Sequence, residues 1–167
     1  MASGRAPFVH LAYDGRVMAR PLPKQCFLAL AAVGWADGVL DANEAAGLLK
    51  AARDAGLSPS DLAEVESATR QVVTLADIEC LQLSRWDCLF TYALAVWMAR
   101  LDGVVTPEEE STLGRLAIVL DLSFLVQVRV AATVKQLAER DPHARPDRFD
   151  LAALDAALAA QLPHLAA

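Results

Sequence analysis

Acidic side chains recur at matching positions in two short segments of this 167-residue chain. Residues 36–44 read ADGVLDANE and residues 101–109 read LDGVVTPEE. Carboxylate oxygens are hard ligands that suit Mg, Ca or Mn better than Zn or Cu(I). If folding brings the two segments together, their carboxylates could share one divalent cation. The candidate metal ligands are Asp37, Asp41, Glu44, Asp102 and Glu109.

The same residues also suit a purely structural role at helix N-termini. Asp41 and Glu44 have the spacing of a capping box, and so do Thr106 and Glu109. The Asp-Gly pair before each box ends the preceding helix, because glycine readily adopts the left-handed conformation there. A standard EF-hand is excluded, since apolar or basic residues occupy the positions of its first carboxylate ligands. Capping alone, and capping combined with cation binding, are both open.

The two segments belong to a longer internal repeat. Residues 35–58 and residues 100–123 align without a gap at an offset of 65, and eight of the 24 positions are identical. Each copy follows an unusually apolar stretch. This pattern predicts two helical hairpins packed about a pseudo-two-fold axis, with their apolar first helices facing each other in the core.

Periodicity and capping signals predict an all-α fold, a single-domain bundle of about seven to eight helices built on the two hairpins. The predicted helices cover about 24–36, 42–56, 59–72, 75–83, 85–101, 107–120, 124–140 and 151–162. Residues 1–22 are expected to form a short β-ribbon or an arm, 23–140 the duplicated helical domain, and 141–167 a linker with a C-terminal helix packed on the domain. We expect Trp97 in the core, and Trp86 to be the more exposed of the two.

Composition and charge restrict the function classes. A net charge of −6 without a basic cluster argues against nucleic-acid binding. No apolar run reaches 18 residues, so no membrane insertion is expected. The chain lacks the motifs of serine hydrolases, zinc proteases and phosphate-binding loops, which predicts a non-enzymatic protein. Three cysteines without CxxC spacing, and an N-terminus unlike a secretory signal, predict a cytoplasmic location.

The paired ADGVLDANE and LDGVVTPEE segments, each behind an apolar helix, resemble the TerB family. That family is associated with tellurite resistance and includes the TerB-like domain of DjlA-type co-chaperones. The resemblance covers about residues 23–140. The sequence departs from the family's pattern at Thr106, which stands where the first copy has Asp41. It implies duplicated helical hairpins, a divalent-cation site made by the acidic loop residues, and a stress-response role through protein partners.

Two other functions are compatible with the sequence. One is a metal-free helical adaptor or interaction domain whose acidic surface recognises a basic partner. The other is a homo-oligomer formed through the Ala-rich final helix, because small residues allow close contact between helices.

The metal hypothesis predicts a thermal shift that depends on the two Asp-Gly aspartates. Adding Ca or Mg should raise the melting temperature of the wild type, because a ligand bound only to the folded state stabilises it. The Asp37→Ala/Asp102→Ala variant should show no such rise in the same thermal scan. An equal rise in both proteins would remove the hypothesis.

Overall fold

The chain is all-helical in the structure, a computed structural model that describes residues 20–79, 82–100, 105–140 and 150–166. Within these ranges there is no strand, and the all-α prediction is confirmed. The eight helices are α1 (Lys24–Gly34), α2 (Ala42–Asp54), α3 (Pro59–Arg70), α4 (Arg85–Ala99), α5 (Pro107–Val119), α6 (Phe124–Arg140), α7 (Leu151–Gln161) and α8 (Pro163–Ala166). The predicted N-terminal ribbon or arm lies outside the described residues except for 20–22, and so does the linker over 141–149.

The helix predicted over 75–83 is wrong. Over residues 75–79, which the structure describes, a single 3-10 turn forms at Leu75–Asp77, and Ile78 after it is extended. Asp77 Oδ2 accepts hydrogen bonds from the backbone N–H of Thr74 at 2.9 Å and from its hydroxyl at 2.8 Å. This exposed carboxylate therefore closes the turn locally, and the hydrogen bonds lower its pKa below the usual value.

Helices α1 and α4 pack against each other at the centre of the bundle. Both are apolar on almost every face, so their surfaces must be covered by the other helices. Helices α2, α3 and α5 also pack on α1, while α5 and α6 pack on α4. Phe27 of α1 and Phe90 of α4 are fully buried, and Trp97 is in the core, as predicted.

The internal repeat is visible in the backbone. Helices α2 and α5 each have 13 residues, and their first and last residues differ by the offset of 65. After each helix one residue adopts a positive φ, 79° at Gly56 and 52° at Asp121. In both places the same two hydrogen bonds close the helix end, Gly56 N to Arg53 O and Leu57 N to Ala52 O, matched by Asp121 N to Ile118 O and Leu122 N to Ala117 O.

The C-terminal helices cover the second half of the bundle. Helix α7 packs on α6, and α8 packs on α4. Trp86, at the start of α4, donates its indole N–H to Asp155 Oδ1 of α7 at 3.1 Å, and the Arg20 guanidinium lies 5.1 Å from its ring centroid. Trp86 is therefore only 3% exposed, against 4% for Trp97, and the expectation that Trp86 is the more exposed of the two is wrong.

Two further observations concern membranes and thiols. Among the described residues, no helix combines the length and the apolar character needed to cross a bilayer. Cys26 is fully buried and Cys88 is half-buried, whereas Cys80 lies outside the described residues.

Because the two helix ends match, exchanging the residue types at Gly56 and Asp121 should change the stability of the protein in opposite directions. A non-glycine residue pays roughly 1–2 kcal/mol in the left-handed conformation, and aspartate tolerates it better than most. Asp121→Gly should therefore raise the free energy of unfolding by about 0.5–1 kcal/mol. Gly56→Asp should lower it by a similar amount. Urea denaturation measures both, and a destabilised Asp121→Gly would contradict this account of the α5 terminus.

Candidate functional site

The two acidic segments follow the central helices in the chain. We call residues 37–44, between α1 and α2, the first acidic corner, and residues 102–109, between α4 and α5, the second acidic corner. Leu40 of the first corner fills the place that a Cβ on Gly34 would take, and Met98 Cε of α4 lies 3.7 Å from that place. The C-terminal end of α4 therefore lies next to the first corner. The structure describes the second corner from Val105 onward.

Capping hydrogen bonds organise the first acidic corner. Asp37 Oδ1 accepts from the N–H of Val39 at 2.9 Å, and Gly38 between them has a φ of 90°. Asp41 Oδ1 accepts from the N–H of Glu44 at 2.9 Å, while Glu44 Oε2 accepts from the N–H of Asp41 at 3.2 Å. This reciprocal pair is the predicted capping box, and it begins α2.

The second corner repeats the same geometry with a hydroxyl in place of the aspartate. Thr106 Oγ1 accepts from the N–H of Glu109 at 3.2 Å, and Glu109 Oε2 accepts from the N–H of Thr106 at 2.7 Å. Pro107 takes the first helical position, where its missing N–H has no cost. The substitution of Thr106 for an aspartate thus preserves the cap but removes one carboxylate from this corner.

Charge is the property that links the corners. The pKa of Glu44 is raised mainly by partial burial. The hydrogen bond from the Asp41 backbone opposes this increase, and the like charges of Asp41, Glu109 and Asp37 each add a smaller contribution to it. Glu109 belongs to the other repeat. Its effect on Glu44 means that the fold brings carboxylates of both corners into one electrostatic neighbourhood.

Four of the five predicted ligands thus lie in a common region: Asp37, Asp41, Glu44 and Glu109. Asp102 lies outside the described residues. In the part of the chain that the structure describes, no three Asp, Glu, His or Cys side chains are arranged to hold a metal ion. One oxygen of each of the four carboxylates is already engaged by a backbone N–H. A cation at this place would use their second oxygens.

The structure also contains two cavities that the sequence reasoning missed. One, of about 470 Å³, lies between α1, α5 and residues 72–76, and its walls include Trp35, Val72 and Ile118. The other, of about 400 Å³, lies between α4, α5 and α6 beside Tyr92 and Gly114.

The second cavity reflects divergence between the repeats. Tyr92 occupies the repeat position of Phe27, which is buried in the core, and Gly114 occupies that of Leu49, which is partly buried and packs against the core. Burial raises the pKa of Tyr92, although the positive charge of Arg100 opposes this. A position-by-position comparison of the repeats would have indicated this loss of apolar volume from the sequence.

The raised pKa of Glu44 predicts that its negative charge opposes folding. Glutamine keeps the capping-box geometry without the charge. Because Glu44 is partly solvated, Glu44→Gln should raise the free energy of unfolding at pH 7 by only about 0.5 kcal/mol. The penalty exists only where the folded carboxyl is ionised, so the gain should disappear as the pH falls to about 4. Denaturation curves across this pH range measure it.

Asp87→Asn is a matched control. Asp87 also closes a capping box, with its Oδ2 accepting from the N–H of Ser84 at 3.0 Å at the start of α4. Removing its charge loses a favourable interaction with the helix N-terminus, so we expect a small loss of stability at pH 7. If Glu44→Gln also loses stability, the penalty from burial and like charges at Glu44 is smaller than the benefit of its charge at the N-terminus of α2.

Comparisons of the chain with protein-family models, curated proteins and solved structures found no match. The resemblance to the TerB family therefore depends on the two acidic segments and their place in the duplicated hairpins. It enters the following section as a proposal.

Proposed function

We propose that this protein is a non-enzymatic, TerB-like stress-response module that binds a divalent cation between its two acidic corners and acts through protein partners, as in tellurite resistance. The observation that carries the proposal is the placement of both corners at one end of the bundle. Met98 of α4 reaches the space beside Gly34 and Leu40, and the charge of Glu109 in the second corner acts on partly buried Glu44 in the first. A fold gains nothing from bringing like charges together in this way, whereas a cation would convert their repulsion into attraction.

The donor set fits a hard cation. Carboxylate oxygens from both corners suit Ca, Mg or Mn, and Asp102 next to Gly103 would add a ligand from the second corner. A shared ion would join the two hairpins and stabilise the folded state in proportion to its concentration. The cation would bind the second oxygen of each carboxylate, because the first oxygen already accepts a hydrogen bond from a backbone N–H.

A metal-free adaptor is the second candidate, and a specific observation favours it. The capping bonds of Asp41, Glu44 and Glu109 account for the orientation of these side chains without any ion. In that case the acidic corners would present a negative surface to a basic partner. A cytoplasmic protein partner belongs to both candidates, and the net charge of −6 disfavours nucleic acid in either.

Titration calorimetry with CaCl₂, MgCl₂ and MnCl₂ separates the candidates. We expect saturable binding of at least one ion to the wild type. The double variant Glu44→Gln/Glu109→Gln should bind that ion about tenfold or more weakly, because both substitutions keep the capping boxes but remove ligand charge. Asp87→Asn should bind as the wild type does, because it alters a capping box at the start of α4, away from the corners.

The outcomes are unambiguous. Absence of binding to the wild type overturns the cation proposal and favours the adaptor. Equal weakening by Asp87→Asn would assign the effect to general negative charge instead of to the corners. A melting temperature of Glu44→Gln above that of the wild type without cations, and below it with saturating cations, would be the strongest support.

A further inference from the structure

Large apolar side chains are exposed in a cluster where α5 ends and α6 begins. Five of them lie within residues 118–128, and we call this set the apolar face. Its members and their exposed fractions are Ile118 (79%), Val119 (44%), Phe124 (79%), Leu125 (62%) and Val128 (48%). Isolated exposed apolar residues are common on soluble proteins, but five of them within eleven consecutive residues indicate a contact surface.

The first repeat shows that the fold does not require apolar residues here. The equivalent positions, at the offset of 65, are Arg53, Asp54, Pro59, Ser60 and Ala63. The backbone at both places is the same, with a 13-residue helix, a left-handed terminal residue and a new helix three residues later. The apolar side chains of the second repeat therefore serve something other than the formation of this turn.

The apolar face contains both a projection and a recess. Ile118 and Val119 also line the cavity of about 470 Å³, together with Trp35 and Val72. Phe124 follows directly across the α5–α6 turn and is 79% exposed. A two-fold symmetric contact requires one surface that is complementary to itself, and a projecting aromatic ring beside an apolar recess meets this requirement.

We propose that the apolar face is the interface of a symmetric homodimer, in which Phe124 of each copy enters the cavity beside Trp35 of the other. Charge supports a second copy as the occupant. The whole chain carries −6 and repels itself, but residues 118–128 include a single ionisable side chain, Asp121. Arg115 on the cavity wall is opposite in sign to Asp121, so two such surfaces can meet with little electrostatic cost.

The number of exposed apolar side chains also suits a dimer. With Val72, which is 65% exposed, six large apolar side chains are available at this surface. A stable interface buries about 800 Å² on each partner, including a polar rim that would surround these side chains. The final helix is a poorer candidate for self-association, because Leu151, Leu154 and Leu158 of α7 are buried within their own chain.

Sedimentation equilibrium of the full chain over about 1–200 µM tests the proposal. The wild type should approach twice the chain mass of 17.9 kDa as its concentration rises. Ile118→Arg/Leu125→Ser introduces residues that the first repeat carries at the same positions, and it should weaken dimerisation by about tenfold or more. Because both side chains are exposed, its circular dichroism spectrum should match that of the wild type.

Two further variants make the test specific. Phe124→Ala should weaken dimerisation, since it removes the ring that enters the cavity. Val39→Ser changes a side chain of the first corner that is 65% exposed, and it should leave the dimer intact. A wild type that is monomeric at every concentration overturns the proposal, and so does a dimer that survives the double variant or is equally weakened by Val39→Ser.

Discussion

The contact between α1 and α4 is the constraint on which the rest of this structure depends. Two helices that are apolar on nearly all faces cannot be exposed to water, and packing them together removes only one side of each. The remaining sides need cover from α2, α3, α5 and α6, which is why the duplicated hairpins surround a common centre. The central pair of helices therefore determines where the outer helices pack.

This central packing also creates the electrostatic conflict at the acidic corners. Because the two central helices end close together, as Gly34 and Met98 show, the turns that follow them carry their carboxylates to one end of the bundle. Each of the four described carboxylates accepts a backbone hydrogen bond within its own corner. Their proximity is a cost of the tertiary arrangement. Glu44 bears this cost because it is partly buried and because the charges of Asp41, Glu109 and Asp37 act on it.

Divergence after duplication explains the features that break the symmetry. Leu49 in the first repeat packs against the core, while Gly114 at the same position leaves a cavity. Ile118 and Leu125 stand where the first repeat has Arg53 and Ser60, so the surface that is polar in the first repeat is apolar in the second. The backbone tolerates these changes because helix ends are held by main-chain hydrogen bonds that do not depend on the exposed side chains.

Helix existence, most helix boundaries, the two capping boxes and the repeat offset could all be predicted from the residues alone. These features depend on hydrogen bonds and periodicity within a few residues, such as the pairing of Asp41 with Glu44. The same local logic failed at residues 75–83, where a favourable cap signal at Thr74 closes a single turn without continuing into a helix.

Only the tertiary structure decided which surfaces are covered. Trp86 is buried because α7 returns to it from 69 residues away, the charge of Glu109 acts on Glu44 across two hairpins, and the apolar face is exposed because no described helix lies over it. Burial and charge interactions join residues that are distant in the chain. Their outcome therefore depends on how the helices are placed in space, which the local pattern around each residue does not specify.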